Sequence, residues 1–140
     1  MLFYSQEWLD AVRAKSETDE VYQRKSKGLT GKVLNVLTDY PDGVDIAVYW
    51  DLDDGKIMSV TRHEKPAPSD FRDIGPDPEY LSRAVGSYQA WSKMDRREIT
   101  PMQAMATKIY KVHSDMTKIM PKMGQFTALT DLQGSIDCDY

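Results

Sequence analysis

Apolar positions near the start of the chain recur at helical spacing. Trp8, Leu9 and Val12 fall on one side, Asp10, Arg13 and Lys15 lie opposite, and Ser5 stands where a cap belongs, which predicts a helix of about three turns. Thr18 and Asp19 open a shorter pattern through Tyr22 to Lys27, with Gly28 as its stop. From Lys32 the period drops to two. Lys32 to Thr38, Val44 to Asp51 and Lys56 to Arg62 are rich in β-branched and aromatic residues and predict three strands. Tyr40-Pro41-Asp42-Gly43 and Asp53-Asp54-Gly55 supply the turns between them. In the second strand Val44, Ile46, Val48 and Trp50 share one face and Asp45, Tyr49 and Asp51 the other, as a half-buried antiparallel sheet requires.

The second half is more punctuated. Pro66 and Pro68 make the stretch after His63 irregular, and Phe71 to Ile74 predicts a short fourth strand at an edge. Asp77-Pro78-Glu79 has the form of a helix N-terminus, continued by Leu81, Ala84, Val85 and Tyr88 at helical spacing, with Trp91 near the end. Thr100-Pro101-Met102-Gln103 reads as a capping box. Ile109 to His113 returns to strand-like alternation. Asp115 then caps a last helix toward Gln133, with Gly134 as its stop and a bend at Pro121 and Gly124. No internal repeat and no low-complexity linker interrupts this order.

The 140 residues make one domain's worth of chain, and 41% hydrophobic with 29% charged residues is a soluble globular composition, in keeping with the mean hydropathy of −0.56. A net charge of −4 argues against nucleic acid as the main partner. The basic group Arg24, Lys25, Lys27 and Lys32 reads as a solvated face. Cys138 is the single cysteine, so neither an intramolecular disulfide nor a Cys-x-x-Cys metal knuckle can form. Apolar runs are short and the N-terminus lacks a basic-then-apolar leader, so neither membrane insertion nor a signal peptide is expected.

Catalytic material is thin. His63, His113 and Cys138 are the only side chains beyond ordinary carboxylates, and no nucleophile elbow, phosphate-cradling glycine loop or His-Glu-x-x-His helix occurs. His63 beside Glu64 and Lys65 reads as solvated, His113 as a strand-end residue. Asp137 and Asp139 flank Cys138 and disfavour its thiolate. The acidic turn from Asp51 to Gly55 is not a calcium loop: its glycine comes one residue early and Arg62 stands where a bidentate glutamate is required. No metal, no cofactor and no enzyme activity are expected.

Methionine is the unusual feature. Met94, Met102, Met105, Met116, Met120 and Met123, six of the chain's eight, lie within a short window. Met116, Met120 and Met123 repeat at helical spacing and continue into Phe126, Leu129 and Leu132, while Met102 and Met105 share a face of the preceding helix. One reading makes them flexible core filler. The collective reading makes them one stripe facing the sheet and closing a soft pocket that repacks around differently shaped apolar ligands.

Several strings, in order, resemble the sterol carrier protein family, specifically its type-two lipid-transfer domain. They are Phe3-Tyr4-Ser5-Gln6-Glu7-Trp8-Leu9, the three-strand run ending in Gly55-Lys56, Asp77-Pro78-Glu79-Tyr80-Leu81, Thr100-Pro101-Met102-Gln103-Ala104-Met105, and the segment from Lys108-Ile109-Tyr110-Lys111-Val112 through Ser114-Asp115 to Phe126-Thr127-Ala128-Leu129. The resemblance covers most of the chain and implies a single domain over residues 1–140. It implies an α+β fold: a five-stranded, mainly antiparallel sheet covered by about five helices and enclosing an apolar tunnel for fatty acids, acyl thioesters or sterols. Ligand-binding positions map onto Met102, Met105, Met116, Met120, Met123 and Phe126, with Trp91 and Tyr88 as further candidates.

The function so implied is non-enzymatic binding or transfer of a hydrophobic small molecule. The alternative is a dimerisation or accessory module whose apolar groove docks a protein partner, and a homodimer is a candidate assembly. A third reading, a small hydrolase using His113 and an aspartate, finds no supporting motif. The chain ends in Cys138-Asp139-Tyr140 rather than a tripeptide resembling the peroxisomal Ser-Lys-Leu signal, so the expected compartment is the cytoplasm.

Overall fold

The computed structural model describes residues 1–140. Helices α1 (Gln6–Ser16) and α2 (Glu20–Lys25) lead into strands β1 (Gly31–Tyr40), β2 (Val44–Asp53) and β3 (Lys56–Pro66). After a 3-10 turn at Asp70–Arg72 come β4 (Tyr80–Ser87), α3 (Tyr88–Asp95), α4 (Pro101–Ala106), β5 (Tyr110–His113) and α5 (Met116–Ile119). A second 3-10 turn, Met120–Lys122, leads into α6 (Met123–Gly134). The strands form one sheet in the order β3-β2-β1-β4-β5. Every pairing is antiparallel except β1 with β4. The folded chain exposes 7762 Å², against roughly 7,400 Å² from surface scaling for this mass.

Locally encoded features form as expected. Ser5 accepts the Trp8 amide, Asp19 the Tyr22 amide, and Thr100 and Gln103 complete their reciprocal capping box. Gly43 adopts φ +70° in the β1–β2 turn, where a side chain would be strained. The β2–β3 turn uses Asp54 to accept the Gly28 amide at 2.7 Å, so its acid ties the turn to the loop after α2. Pro121 interrupts the last helix where a bend is expected, while Gly124 lies within α6.

Two elements correct the sequence reading. The stretch from Asp77 is not a helix: Asp77 accepts the Glu79 amide in a turn, and Tyr80–Ser87 is a strand. Leu81, Ala84, Val85 and Tyr88 fit a helical period, but Ser82, Ala84 and Gly86 equally fit alternation. The choice falls to β1, whose Val33 to Leu37 are all buried and which takes β4 as its second neighbour. A Cβ on Gly86 would stand 3.1 Å from the Ile109 carbonyl and 3.2 Å from the Tyr110 ring. The helix expected there starts only at Tyr88, capped by Ser87.

The other correction is Phe71 to Ile74, which is no edge strand. It packs on the outer face of the sheet, where Phe71 and Ile74 cover Leu34, Val36 and Ala47. Asp45, expected on a solvated face, is fully buried beneath this segment. It accepts from the Arg72 guanidinium at 2.8 and 2.9 Å, from the Ser69 amide and hydroxyl, and from the Asp39 amide. Burial raises the Asp45 pKa, but these donors outweigh it and hold the carboxyl well below the usual carboxylate range.

The main core lies on the inner face, between the sheet and helices α1, α3 and α6. Trp8, Leu9 and Val12 meet Leu37, Ile46, Val48, Trp50 and Leu52, with Leu129 and Leu132 completing the layer. Phe3 and Tyr4 join Trp8 in an aromatic group, Tyr4 stacking on Trp8 at 4.7 Å and Phe3 meeting both edge-on.

Candidate functional site

The inner face of the sheet narrows toward the β4–β5 side. Ser82, Ala84 and Gly86 present small side chains there, and Tyr110 of β5 pairs with Gly86. Trp91 lies over Gly86, donates its indole N–H to the Val36 carbonyl at 3.0 Å and meets Tyr110 edge-on at 5.1 Å. Tyr88 packs edge-on against Tyr40 at 5.0 Å, and its buried hydroxyl has no hydrogen-bond partner. Burial pushes the Tyr110 pKa up to about 12, keeping its phenol neutral. Trp91 and Tyr110 therefore meet over Gly86, while Tyr88 belongs to a separate aromatic contact with Tyr40 and Phe3.

The methionines are placed differently from the expectation. Rather than facing the sheet they lie outward: Met102 is 76% exposed, Met120 61%, Met116 56%, Met123 48% and Met105 42%. The reason is helical phase. The residue α4 buries is Ala104, and each step along a helix turns about 100°, so Met102 and Met105 are carried around the flanks. Ile119 is the residue that α5 buries, while Met116 and Met120, the latter opening the 3-10 turn that follows, stay exposed. Phe126 is half-buried against the core through α6, whose inward face is Ala128, Leu129 and Leu132.

The principal hollows lie elsewhere, and the expected apolar tunnel is not among them. One, about 560 Å³, sits between α1, α2 and the start of β3, with Tyr22, Ile57 and Met58 among its apolar walls and Arg13, Glu17, Lys27 and Lys56 also lining it. Tyr22 donates to the Gly55 carbonyl at 2.7 Å and Arg13 to the Met58 carbonyl at 2.8 Å, fixing its two sides. A second, about 390 Å³, lies by the end of β5 among Tyr80, His113, Asp115 and Lys118. None of the eight residues expected to bind ligand lines either one.

No three His, Cys, Asp or Glu side chains are placed to hold a metal ion. The neighbour of His113, Ser114, donates its hydroxyl to Ser82 and is not aligned to a base. The Cys138 pKa is raised chiefly by burial, with Asp95 and Asp139 adding to it, so burial rather than flanking charge is the larger reason the thiol stays protonated.

With this arrangement in view, the chain can be set beside known proteins. No protein-family model matches it, and no curated protein matches it in sequence. Solved structures do match. Sterol carrier protein 2 superposes with a TM-score of 0.74 over 98% of this chain and 100% of its own, at 15% identity. A conserved protein of Thermus thermophilus gives 0.73 over 99% of this chain and 92% of its own, also at 15% identity. Sterol carrier protein 2 of Yarrowia lipolytica, in its apo form, gives 0.60 over 96% and 94% at 14% identity. The chain has the sterol carrier protein type-two fold, with a five-stranded, mostly antiparallel sheet.

Proposed function

We propose that this protein is a non-enzymatic binder of hydrophobic small molecules, holding an acyl chain or similar apolar body between the inner face of β4 and β5 and the layer formed by α3 to α6. The observation that carries this reading is the likeness to sterol carrier protein 2 along nearly the whole chain. The small residues Ser82, Ala84 and Gly86 support it, since a guest needs displaceable neighbours rather than a rigid wall. Trp91 and Phe126 are the side chains that move aside. Met102, Met105, Met116, Met120 and Met123 rotate inward to cover the guest, their unbranched chains adapting to its shape.

Affinity follows from desolvation. Each buried methylene contributes about 0.8 kcal/mol, roughly 13 for a sixteen-carbon chain, and association costs of about 4 to 15 kcal/mol offset much of that. Micromolar, weakly selective binding is the expected result.

Titration with a fluorescent fatty acid tests the reading. Saturable binding is expected, weakened at least tenfold by Met120→Glu in a variant that keeps its circular dichroism spectrum. Absence of saturable binding, joined to concentration-dependent self-association, favours the interaction module instead.

A further inference from the structure

The inner face of the sheet changes character from β2 to β4. On β2 it is Ile46, Val48, Trp50 and Leu52, apolar and buried. From β1 onward polar side chains enter the same face: Asn35, which meets Tyr4, then Ser82 on β4 and Ser114 just past β5. Register makes them neighbours. Val33 faces Ser82 and Asn35 faces Ala84, so Asn35 and Ser82 lie diagonally across adjacent strands, while the pairing of Arg83 with His113 brings Ser114 opposite Ser82.

These groups are bonded to one another with capacity left over. The Asn35 amide donates to the Tyr4 hydroxyl at 3.1 Å, and Ser114 donates to the Ser82 hydroxyl at 3.1 Å. Neither bond uses the Asn35 carbonyl oxygen or the hydroxyl protons of Tyr4 and Ser82, which leaves one acceptor and two donors on a single row. Access to the row remains. Asn35 and Ser82 each keep 9% of their surface accessible although β1 and β4 both lie inside the sheet, so the helical layer does not seal them. Tyr4 is also held at φ +60°, a costly backbone for a bulky residue, with its ring fixed by the stack on Trp8. Burial raises its pKa and keeps the phenol neutral.

A plain acyl chain laid over this row takes water away from it and returns no hydrogen bond, which is the expensive way to cover a polar group. A carboxylate only accepts, so it has nothing to give the Asn35 oxygen. A hydroxyl both donates and accepts. We infer that Asn35, Ser82 and Ser114, with the Tyr4 hydroxyl at one end, bind an uncharged hydroxyl carried on the apolar body of the guest, so that the protein prefers hydroxylated acyl chains to plain ones. This deepens the proposed binding function by naming a chemical feature of the guest, and it rests on that reading.

The experiment is displacement of a bound fluorescent fatty acid from the full chain by oleic acid and by ricinoleic acid, which differs from it by one mid-chain hydroxyl. Ricinoleic acid is expected to displace at about tenfold lower concentration, the worth of one or two net hydrogen bonds. Ser82→Ala with Ser114→Ala reduces that ratio to about twofold or less, and Asn35→Leu does the same, while both keep the affinity for oleic acid. Should Asn35→Leu fail to fold, the serine pair carries the test. Ser92→Ala removes a buried hydroxyl on α3 that donates to the Tyr88 carbonyl, and it leaves the tenfold ratio unchanged.

Equal displacement by the two acids overturns the inference and means that the row holds only water, with the carrier reading intact. An unchanged ratio in the serine pair overturns it as well, as does an equal loss of both acids there, which marks a structural role. Displacement by neither acid, joined to no saturable binding of the fluorescent probe, overturns the carrier reading and this inference with it.

Discussion

Helix α1 and the pair α4 and α5 are both amphipathic in sequence, yet they end in opposite circumstances. Trp8, Leu9 and Val12 of α1 are completely buried, while Met102 and Met105 of α4, Met116 of α5 and Met120 of the turn after it remain exposed. Length is the first reason. α1 has 11 residues and lays a continuous stripe across the sheet, whereas α4 has 6 and α5 has 4, each burying one small or branched residue. Partner surface is the second. α1 faces the broad β1–β3 half of the sheet, and α4 lies beside β5, a strand of 4 residues at the edge. An apolar stripe specifies a buried face only where enough opposing surface exists to receive it.

The sharpest way to break this contrast is at its closed end. Trp8→Ala removes a fully buried indole from between Phe3 and Tyr4 and should cost about 3 to 5 kcal/mol in urea unfolding. Next in size is the outer face. Arg72→Met strips Asp45 of its charged partner and should lower the urea unfolding midpoint, chiefly through the stranded carboxylate.

That carboxylate also fixes a pH dependence. Because the folded Asp45 pKa is depressed, its contribution is fully present above the unfolded value of about 4 and is lost as pH falls toward the folded value. Unfolding midpoints should therefore decline below about pH 4, and Asp45→Asn should be less stable at neutral pH with a flatter acid limb. An unchanged acid limb in that variant would show that the Asp45 cluster is not the acid-sensitive element.

Smaller effects belong to the open end. Trp91→Phe keeps the packing on Tyr110 but loses the hydrogen bond to the Val36 carbonyl, a cost of about 1 kcal/mol. Met102→Gln should change stability by less than about 0.5 kcal/mol, as an exposed substitution does. A loss of several kcal/mol at Met102 would mean that its side chain is held inward in solution, and would erase the contrast.

How much of this could be read beforehand varies residue by residue. Ser5, Asp19 and the Thr100–Gln103 box were legible because a cap involves neighbours three residues apart. The face shared by Ile46, Val48 and Trp50 was legible because alternation itself sets it. The strand at Tyr80–Ser87 was not, since its alternation and its helical spacing are compatible and a distant strand decides between them. Nor was the Asp45 cluster, whose donors come from residues Asp39, Ser69 and Arg72 across a long loop. The concentration of methionine was legible in composition, but its exposure was not, since which residues of α4 and α5 are buried depends on what packs against them.

The amino-acid order by itself thus determined the caps, the turns, the period of the first three strands and the unusual chemistry of the segment from Met102 to Met123, because each depends on interactions among near neighbours. Only the assembled molecule decided that β1 takes a parallel partner, that Asp45 is sealed under Arg72, and that the methionines stand outside. Those outcomes depend on which surfaces meet across many residues, and burial is a property of both surfaces rather than of either sequence pattern alone.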